Sequence, residues 1–335
     1  MSQTRSDNTF QMSELDRIKR PIADELAYFK RYFHDMMKSD VPLLNLILRY
    51  LLLRKGKQMR PMLVFLSAKL MGNPGSSTFT AAALIEILHT ATLVHDDVVD
   101  ESNERRGFFS INAIWKSKVA VLLGDYLLAR GLLLAIKNKE YDLLNLVADA
   151  VKEMSEGELM QIRNSRKLSI TQDEYFEVIR KKTATLISCC SSCGARSVGM
   201  PDDVVQKMKE FGELLGIAFQ IKDDLLDYQV DSLTGKPKGN DLKDKKLTLP
   251  LIYALEKADM MERNRILLLL NSKNNNRDKL VHVLSFIEGH KGLEYTKNRM
   301  HDFADKAIQT LSSFPDSEIK ESLSAFVYYT ISRNK

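Results

Sequence analysis

Two clusters of aspartates share one spacing and are the residues in this sequence best suited to chemistry. The segments LVHDDVVDES and QIKDDLLDY both contain DDxxD, which gives Asp96, Asp97, Asp100, Asp223, Asp224 and Asp227. Side chains three or four residues apart lie on one face of a helix, so each cluster projects its carboxylates to one side. Because like charges placed in this way repel each other, we expect a bound cation to offset them.

The chemistry of these six carboxylates favours Mg²⁺. Mg²⁺ prefers carboxylate oxygens, keeps several of its waters and shares oxygens with phosphate groups. A solvated acidic face is the simplest alternative, but the repeated spacing argues against it. A calcium EF-hand is excluded because neither cluster lies in a Gly-containing loop that ends in Glu. A di-iron centre would need two Glu-x-x-His pairs, whereas the sequence has one, Glu86 with His89. The clusters therefore predict a site for Mg²⁺ and a diphosphate.

Basic residues near the first cluster could complete such a site. Lys57 and Arg60 come just before a proline that suits the first turn of a helix. A helix N-terminus favours an anion through its free N–H groups and its dipole. Arg105 and Arg106 follow the first cluster, and guanidinium pairs can bind diphosphate oxygens in bidentate fashion. These four residues predict clamps for phosphate groups.

Five further residues are weaker candidates for the site. His89 precedes the first cluster by two helical turns and shares its face. Lys182 and Thr183 lie in the middle of a predicted helix, Gln220 stands one turn before the second cluster, and Lys246 ends a polar stretch. Each is ordinary alone, since helix lysines usually face solvent.

The motifs and their order resemble those of the trans-type isoprenyl (polyprenyl) diphosphate synthases. The sequence has GKQMRP from Gly56, DDVVD from Asp96, RRG from Arg105, KTA from Lys182 and FQIKDDLLD from Phe219. The resemblance runs from about Leu44 to the C-terminus. In one departure, the family's glycine before the lid lysine (GKxTLP) is Lys245 here, in KKLTLP, which puts the role of Lys246 in question.

The resemblance implies a prenyltransferase that condenses isopentenyl diphosphate with an allylic diphosphate, such as farnesyl or geranylgeranyl diphosphate. The allylic substrate would ionise to a carbocation with help from about three Mg²⁺ ions, which the six aspartates would hold. The catalytic set would be Asp96, Asp97, Asp100, Lys182, Thr183, Gln220, Asp223 and Asp224. Arg105, Lys182 and Lys246 would contact the allylic diphosphate. Isopentenyl diphosphate would bind Lys57, Arg60, His89 and Arg106, and Thr183 and Gln220 would lie beside the developing cation.

Product length depends on the residues one turn before the first cluster, which here are the small Ala91 and Thr92. In this family, bulky aromatics at that place form a floor that stops elongation. We therefore expect these two residues to line a tunnel for a long product, of quinone side-chain length. A short-chain (farnesyl or geranylgeranyl) synthase is the alternative. A terpene cyclase and a non-catalytic synthase subunit are less favoured, since the basic residues suit a second diphosphate and all six aspartates are present.

The elements that must position these residues are nearly all helices, because apolar residues recur at three- and four-residue spacing and strand-like alternation is scarce. We expect an all-α bundle of the isoprenoid synthase type with a central active-site cavity, in a single domain over 13–335 after a disordered 1–12. After a first helix from Ser13, helices are predicted at 41–53, 61–71, from a cap at Thr78 or Thr80 to about 101, and at 110–136, 141–163, 171–196, 202–229, 248–270, 276–289, 292–312 and 317–331. The lysine-rich stretch 230–246 is predicted to be a lid.

Composition excludes several other classes of protein. The 335 residues carry a net charge of +5 that is spread along the chain, which gives no support for nucleic-acid binding. The three cysteines lie close together, which is typical of a reducing compartment and not of a disulfide framework. The first residues contain no apolar run of a secretory signal. The most apolar window, 119–136, contains Asp125 and Arg130 and so predicts a buried helix.

Composition predicts a cytoplasmic protein, and the resemblance to the family implies a homodimer. We expect no transmembrane segment and only transient membrane contact for release of the product.

Overall fold

The computed structural model describes residues 13–53, 56–105, 107–165, 170–228, 246–272 and 277–333, without the side chains of Arg105, Arg277 and Asp278. Within them the chain is helical, apart from connecting turns and one short hairpin. The helices are α1 (Glu14–Lys19), α2 (Ala23–Met36), α3 (Pro42–Leu53), α4 (Met59–Met71), α5 (Ser76–Val99), α6 (Ile111–Lys137), α7 (Tyr141–Ser165), α8 (Gln172–Ile179), α9 (Thr185–Ser197), α10 (Asp202–Asp227), α11 (Leu249–Lys257), α12 (Met260–Asn271), α13 (Arg277–Gly289), α14 (Gly292–Thr310) and α15 (Glu318–Ser332). The predicted all-α fold is confirmed. The predicted disordered 1–12 and most of the predicted lid lie outside the described residues.

Several helices begin at side chains that cap free N–H groups. The Ser110 hydroxyl accepts a hydrogen bond from the backbone N–H of Ala113, at 3.0 Å, at the start of α6. The predicted cap of α5 at Thr78 or Thr80 is wrong. Gly75 precedes that helix, and the Thr78 hydroxyl reaches back to accept from the Gly75 N–H at 3.2 Å. Thr78 thus stabilises the first turn from inside the helix.

Two long predicted helices are divided in the structure. The segment predicted as 171–196 contains a π-helical turn, Arg180–Ala184, between α8 and α9. The segment predicted as 248–270 breaks at Ala258, whose backbone is extended, because Asp259 caps α12 by accepting from the Glu262 N–H at 2.8 Å. A side-chain cap of this kind starts a new helix within a continuous apolar pattern.

Helix α9 lies inside the bundle and packs against α4, α5, α7 and α10. Glycines allow the closest approaches. A Cβ added at Gly194 would lie 2.5 Å from the carbonyl oxygen of Val64 in α4, and one at Gly216 of α10 would lie 2.5 Å from the Cα of Ala184. One buried apolar cluster extends from Ile18 to Ile331 and joins these helices into a common core.

Helices α3, α5 and α6 share a second apolar cluster, which includes Ile87, Ala91 and Leu127. Both α5 and α6 are long and apolar enough to cross a membrane by length and composition. In their most apolar windows, 61% of the α5 residues and 33% of the α6 residues are buried inside the protein. The expectation that α6 is a buried helix is therefore wrong, because much of its apolar surface faces outwards. Its exposed apolar residues are Ile114, Val121, Leu122, Leu132, Leu133 and Ile136.

A two-stranded antiparallel hairpin joins α5 to α6. Glu104 pairs with Phe109, and Arg105 pairs with Phe108. Gly107 has φ 78°, a backbone conformation that glycine adopts without steric cost. The glycine of the RRG motif therefore serves a tight turn.

Candidate active site

Packing around α9 brings both acidic clusters to the same end of the bundle. Helix α10 runs antiparallel to α9, since Gly216 approaches Ala184 and Gly212 approaches Ser188. Helix α5 starts beside the end of α9, where the Thr78 and Ser197 hydroxyl oxygens are 2.9 Å apart. The C-terminal ends of α5 and α10, which carry the aspartates, therefore both point towards the beginning of α9.

The first cluster lies at the end of α5. Asp97 is 2% exposed, whereas Asp96 is half-buried and Asp100 is exposed. Asp100 caps the helix, with its N–H donating to the Asp96 carbonyl at 2.8 Å. The cluster thus combines one buried carboxylate with two that are accessible from the helix end.

The second cluster is centred on Asp224, which is 1% exposed. The Tyr175 hydroxyl donates to its Oδ2 at 2.7 Å, and the Gln220 amide donates to its Oδ1 at 2.8 Å. The Lys246 ammonium lies 3.4 Å from the same Oδ1. Sequence reasoning missed Tyr175, which lies on α8, 49 residues from its partner. No local motif could have identified it.

Thr183 and Gln220, which were weak candidates in sequence, are joined directly. The Thr183 hydroxyl donates to the Gln220 amide oxygen at 2.8 Å, and the Gln220 amide nitrogen bonds Asp224. The π-turn is thereby connected to the second acidic cluster by side chains alone. The two residues are neighbours in the structure, and these hydrogen bonds fix the orientation of the Gln220 amide.

Asp223 has a basic partner from the last helix. A terminal nitrogen of Arg333 donates to Asp223 Oδ1 at 2.5 Å, and the guanidinium carbon lies 4.0 Å from the centre of the Phe219 ring. Asp227, the last residue of α10, is half-buried. The C-terminal segment therefore reaches one of the carboxylates that the sequence assigns to a metal, Asp223.

The π-turn holds a network of charges against α7. Lys182 pairs with Glu158 at 2.5 Å, and Lys181 pairs with Glu156 at 2.5 Å. The hydrogen bond from Lys181 lowers the pKa of the Glu156 carboxyl. Extra residues in π-turns recur at functional sites. Here the turn places two consecutive lysines along α7 and orients Thr183 towards α10.

The predicted phosphate clamp at the start of α4 is partly occupied by protein groups. Arg60 donates to both carboxylate oxygens of Glu86, at 3.0 and 3.2 Å. The Lys57 ammonium lies 5.5 Å from the centre of the Tyr329 ring. Helix α4 begins at Met59, two residues before the predicted start, so Arg60 lies in the first helical turn. The clamp therefore includes Glu86, an acidic residue that sequence reasoning left without a role.

Three of the remaining predicted residues lie on α5, and the side chains of the others lie outside the described part of the chain. His89 and Thr92 are half-buried on α5, and the Thr92 hydroxyl donates to the His89 carbonyl at 2.9 Å. Ala91 is fully buried in the second apolar cluster. Arg106, the side chain of Arg105 and the lid up to Lys245 lie outside the described residues.

The donor set suits Mg²⁺ better than it suits a cage made of protein ligands. In the part of the chain that the structure describes, no three Asp, Glu, His or Cys side chains come close enough to form a metal-binding group. Mg²⁺ is usually bound through a few carboxylates together with waters and substrate phosphates. The clustered hard oxygens at the ends of α5 and α10 fit that mode of binding.

Comparisons with known proteins identify the family of this chain. A sequence model of the Polyprenyl synthetase family matches residues 41–287. Octaprenyl diphosphate synthase of Escherichia coli is 35% identical over 96% of this chain and 99% of its own length. The crystal structure of a decaprenyl diphosphate synthase from Rhodobacter capsulatus superposes with a TM-score of 0.89 at 36% identity, covering 96% of this chain and 99% of that one.

A further solved structure bears on the metal. A polyprenyl synthase from Caulobacter crescentus, complexed with calcium and isoprenyl diphosphate, has a TM-score of 0.85 at 33% identity and covers 96% of this chain and 98% of that one. The similar structures also include geranylgeranyl pyrophosphate synthases.

Proposed function

Because this chain belongs to the polyprenyl synthetase family and is a prenyltransferase that condenses isopentenyl diphosphate with an allylic diphosphate, we propose that its two acidic clusters and their basic neighbours form the active site. The observation that carries this proposal is the position of both clusters at one end of the bundle, each with a buried aspartate, Asp97 and Asp224. Buried carboxylates at facing helix ends suit a shared group of cations.

The family uses a divalent metal, and we assign it as about three Mg²⁺ ions. The ligands would be Asp96, Asp97, Asp100, Asp223, Asp224 and Asp227. The ions, when bound, supply positive charge to the departing diphosphate. Tyr175 and Gln220 hold the Asp224 carboxylate in one orientation through hydrogen bonds at 2.7 and 2.8 Å.

Basic side chains would divide between the two substrates. Arg105, Lys182 and Lys246 would bind the allylic diphosphate and stabilise the charge that develops as its C–O bond breaks. Lys57, Arg60, His89 and Arg106 would hold isopentenyl diphosphate so that its double bond can attack the allylic carbon. Thr183 and Gln220 would present uncharged oxygens near the carbocation.

The proton that is lost after carbon–carbon bond formation would pass to the released pyrophosphate, which is already in place. No nucleophilic side chain is required. The site needs only to position two diphosphates, to stabilise charge and to exclude water.

We assign a long-chain product, of quinone side-chain length. Ala91 and Thr92 leave no aromatic ring one turn before Asp96, and Ala91 packs in the same apolar cluster as Leu123 and Leu127 of α6. The growing chain would extend along these apolar residues between α5 and α6. A farnesyl or geranylgeranyl product remains the alternative, and a floor deeper in this cluster would produce it.

We propose that residues 13–335 form a single domain and that the protein is a homodimer in the cytoplasm. The exposed apolar residues of α6 support a two-fold interface, since large exposed apolar patches mark association sites. The three cysteines are buried and reduced, which suits the cytoplasm. Contact with a membrane would be transient, during release of an apolar product.

The test of the active site is release of pyrophosphate by the purified chain with Mg²⁺, farnesyl diphosphate and isopentenyl diphosphate. We expect release only with both substrates, whereas a terpene cyclase would need the allylic substrate alone and a non-catalytic subunit would release none. Asp97→Ala and Asp224→Ala should each lower kcat by at least about a hundredfold, because each removes part of a major electrostatic element.

The matched control is Asp203→Ala, which removes an exposed carboxylate from the first turn of α10 and should retain activity. Near-normal turnover in either cluster variant, with normal circular dichroism, would refute the assignment. Chromatography of the products measures their chain length.

A further inference from the structure

A cavity of about 580 Å³ opens between α1, α10, α14 and α15. Its lining includes Lys222 and Leu225, which are neighbours in sequence of the second acidic cluster, but none of the described residues that line it belongs to the proposed active site. Its size is within the range of cavities that bind small ligands. The cavity therefore needs an explanation apart from prenyl transfer.

Lys222 lies in the wall of this cavity and is 9% exposed. Within the described ranges, its ammonium makes no hydrogen bond and has no carboxylate within 4.0 Å. The positive charges that act on Lys222 come from Arg333 and Lys297. The negative charge that acts on it comes from the Asp223 carboxylate, which already bonds Arg333 at 2.5 Å. The side chain of Lys222 is thus mostly buried while its ammonium remains accessible from the cavity, and an anion that enters the cavity would pair with it.

The rest of the lining indicates the kind of anion. Lys297 and His301 lie one turn apart on α14 and are exposed at the rim, where Glu14 is the acidic residue. Apolar side chains of Leu225 and Ile331 are buried in the wall, at 5% and 6% exposure. A cationic end beside an apolar wall suits a molecule with one charged and one apolar part.

We propose that this cavity binds an anionic amphiphile, a phosphate or carboxylate group on an apolar body, through Lys222 and Lys297. The headgroup lies against Lys222, and the apolar body lies along Leu225, Met300 and Ile331. The site is separate from the proposed active site and does not depend on the assigned function.

Calorimetric titration of the full chain with geranyl phosphate in the presence of EDTA tests the proposal. EDTA removes the divalent ions on which binding at the aspartates depends. Binding that then remains lies in the cavity or at the basic clamp of Lys57 and Arg60, and only the part lost in the cavity variants is assigned to the cavity. We expect saturable binding by the unmodified chain. Lys222→Met should weaken it by at least about tenfold, since one buried charge-assisted contact is lost, while Lys222→Arg should retain most of the affinity.

Two further variants separate binding from folding. Lys297→Met changes an exposed rim residue and should weaken binding at least about threefold without a change in melting temperature. Lys207→Met, at an exposed position on α10 outside the cavity, should leave the affinity unchanged. Equal affinity in the unmodified, Lys222→Met and Lys297→Met chains would overturn the proposal.

Other probes identify the ligand chemistry. Octanoate in place of geranyl phosphate decides between a carboxylate and a phosphate headgroup, and stronger binding of either one supports the site. Inorganic phosphate and geraniol supply the two halves of the probe separately. If inorganic phosphate alone binds as tightly as geranyl phosphate, or if neither amphiphile binds, the proposal is wrong.

Discussion

Arg60, which is proposed to hold isopentenyl diphosphate, forms a two-point ion pair with Glu86. Both side chains are about one-quarter exposed. An anion that binds here must share or replace the carboxylate, and the planar guanidinium has enough donors to contact both. The pair therefore holds Arg60 in place before substrate arrives.

At this residue scale, Arg60→Met should raise the KM for isopentenyl diphosphate by at least about tenfold, with a smaller change in kcat, because the clamp binds ground and transition states alike. The Glu86 carboxylate is left without its partner, which should cost about 1–3 kcal/mol of stability. Steady-state kinetics and a melting curve measure the two effects.

The control for Arg60→Met is Arg20→Met, which breaks a similar two-contact pair with Glu318 on the surface and should leave KM unchanged. A lower melting temperature without any change in KM would show that Arg60 is only structural. A higher KM for the allylic substrate alone would mean that the two subsites are exchanged.

Ala91 is the residue on which the long-chain assignment depends. It precedes Asp96 by five residues, about 7.5 Å along a helix, which is close to the length of one or two isoprene units. Ala91→Phe would place a ring in a close-packed wall that cannot easily yield. Products should shift towards farnesyl or geranylgeranyl length, while the first condensation proceeds at a comparable rate.

Ala83→Phe is the control for Ala91→Phe. Ala83 is also fully buried, but it lies two turns earlier on α5 and in the first apolar cluster. The Ala83→Phe substitution should lower the free energy of unfolding by about 1–3 kcal/mol through overpacking and leave product length unchanged. Chromatography of the products, together with a melting curve, distinguishes an effect on product length from an effect on stability. Unchanged products in Ala91→Phe, with a depressed melting temperature, would mean that Ala91 only packs α5.

At the scale of elements, the π-turn depends on a glycine of the neighbouring helix. A Cβ at Gly157 of α7 would lie 2.6 Å from the backbone nitrogen of Lys182 and 3.0 Å from the carbonyl carbon of Lys181. These contacts are with backbone atoms, so the turn itself would have to move. Gly157 thus sets how closely α7 approaches Lys182 and Thr183.

Gly157→Ala should lower kcat/KM for the allylic substrate by at least about tenfold. Alanine is a better helix former than glycine by about 1 kcal/mol, but the clash with a fixed backbone exceeds that gain. Gly289→Ala is the matched change, since nothing lies within 4 Å of its added Cβ, and it should be neutral. Unaltered kinetics in Gly157→Ala would contradict a positioning role for the turn.

Among the properties of the whole molecule, the proposed dimer depends on the exposed apolar face of α6. Leu122 and Leu133 are 60% and 53% exposed and lie three turns apart. A double Leu122→Glu, Leu133→Glu variant should put two charges into the interface of each protomer, which is strongly unfavourable. Light scattering should change from twice the chain mass to 38.2 kDa.

The control for this change is Leu268→Glu on α12, where the side chain is 73% exposed, and its mass should stay that of the dimer. A monomer mass for the unmodified chain at micromolar concentration would refute the proposal. A dimer that survives both α6 substitutions would place the interface elsewhere.

Helical periodicity predicted the all-α fold, the two DDxxD motifs predicted a site for Mg²⁺ and a diphosphate, and the resemblance of five ordered motifs to a known family implied a prenyltransferase. The first two signals are local, since a helix presents residues three and four apart on one face whatever packs against it. For the same reason, Asp97 and Asp224 could be named from sequence, and most helix ends fell within a few residues of their predicted positions.

Tertiary structure alone decided which groups meet. Tyr175 bonds Asp224, Glu86 bonds Arg60, and Arg333 bonds Asp223 across 49, 26 and 110 residues. The π-turn depends on a glycine in another helix, and the exposure of α6 depends on where its neighbours end. Such contacts arise from the packing of distant helices, and the local pattern of any one helix is compatible with many partners. Local residue patterns therefore specify the helices and the chemical groups, whereas packing specifies how those groups are paired, oriented and exposed.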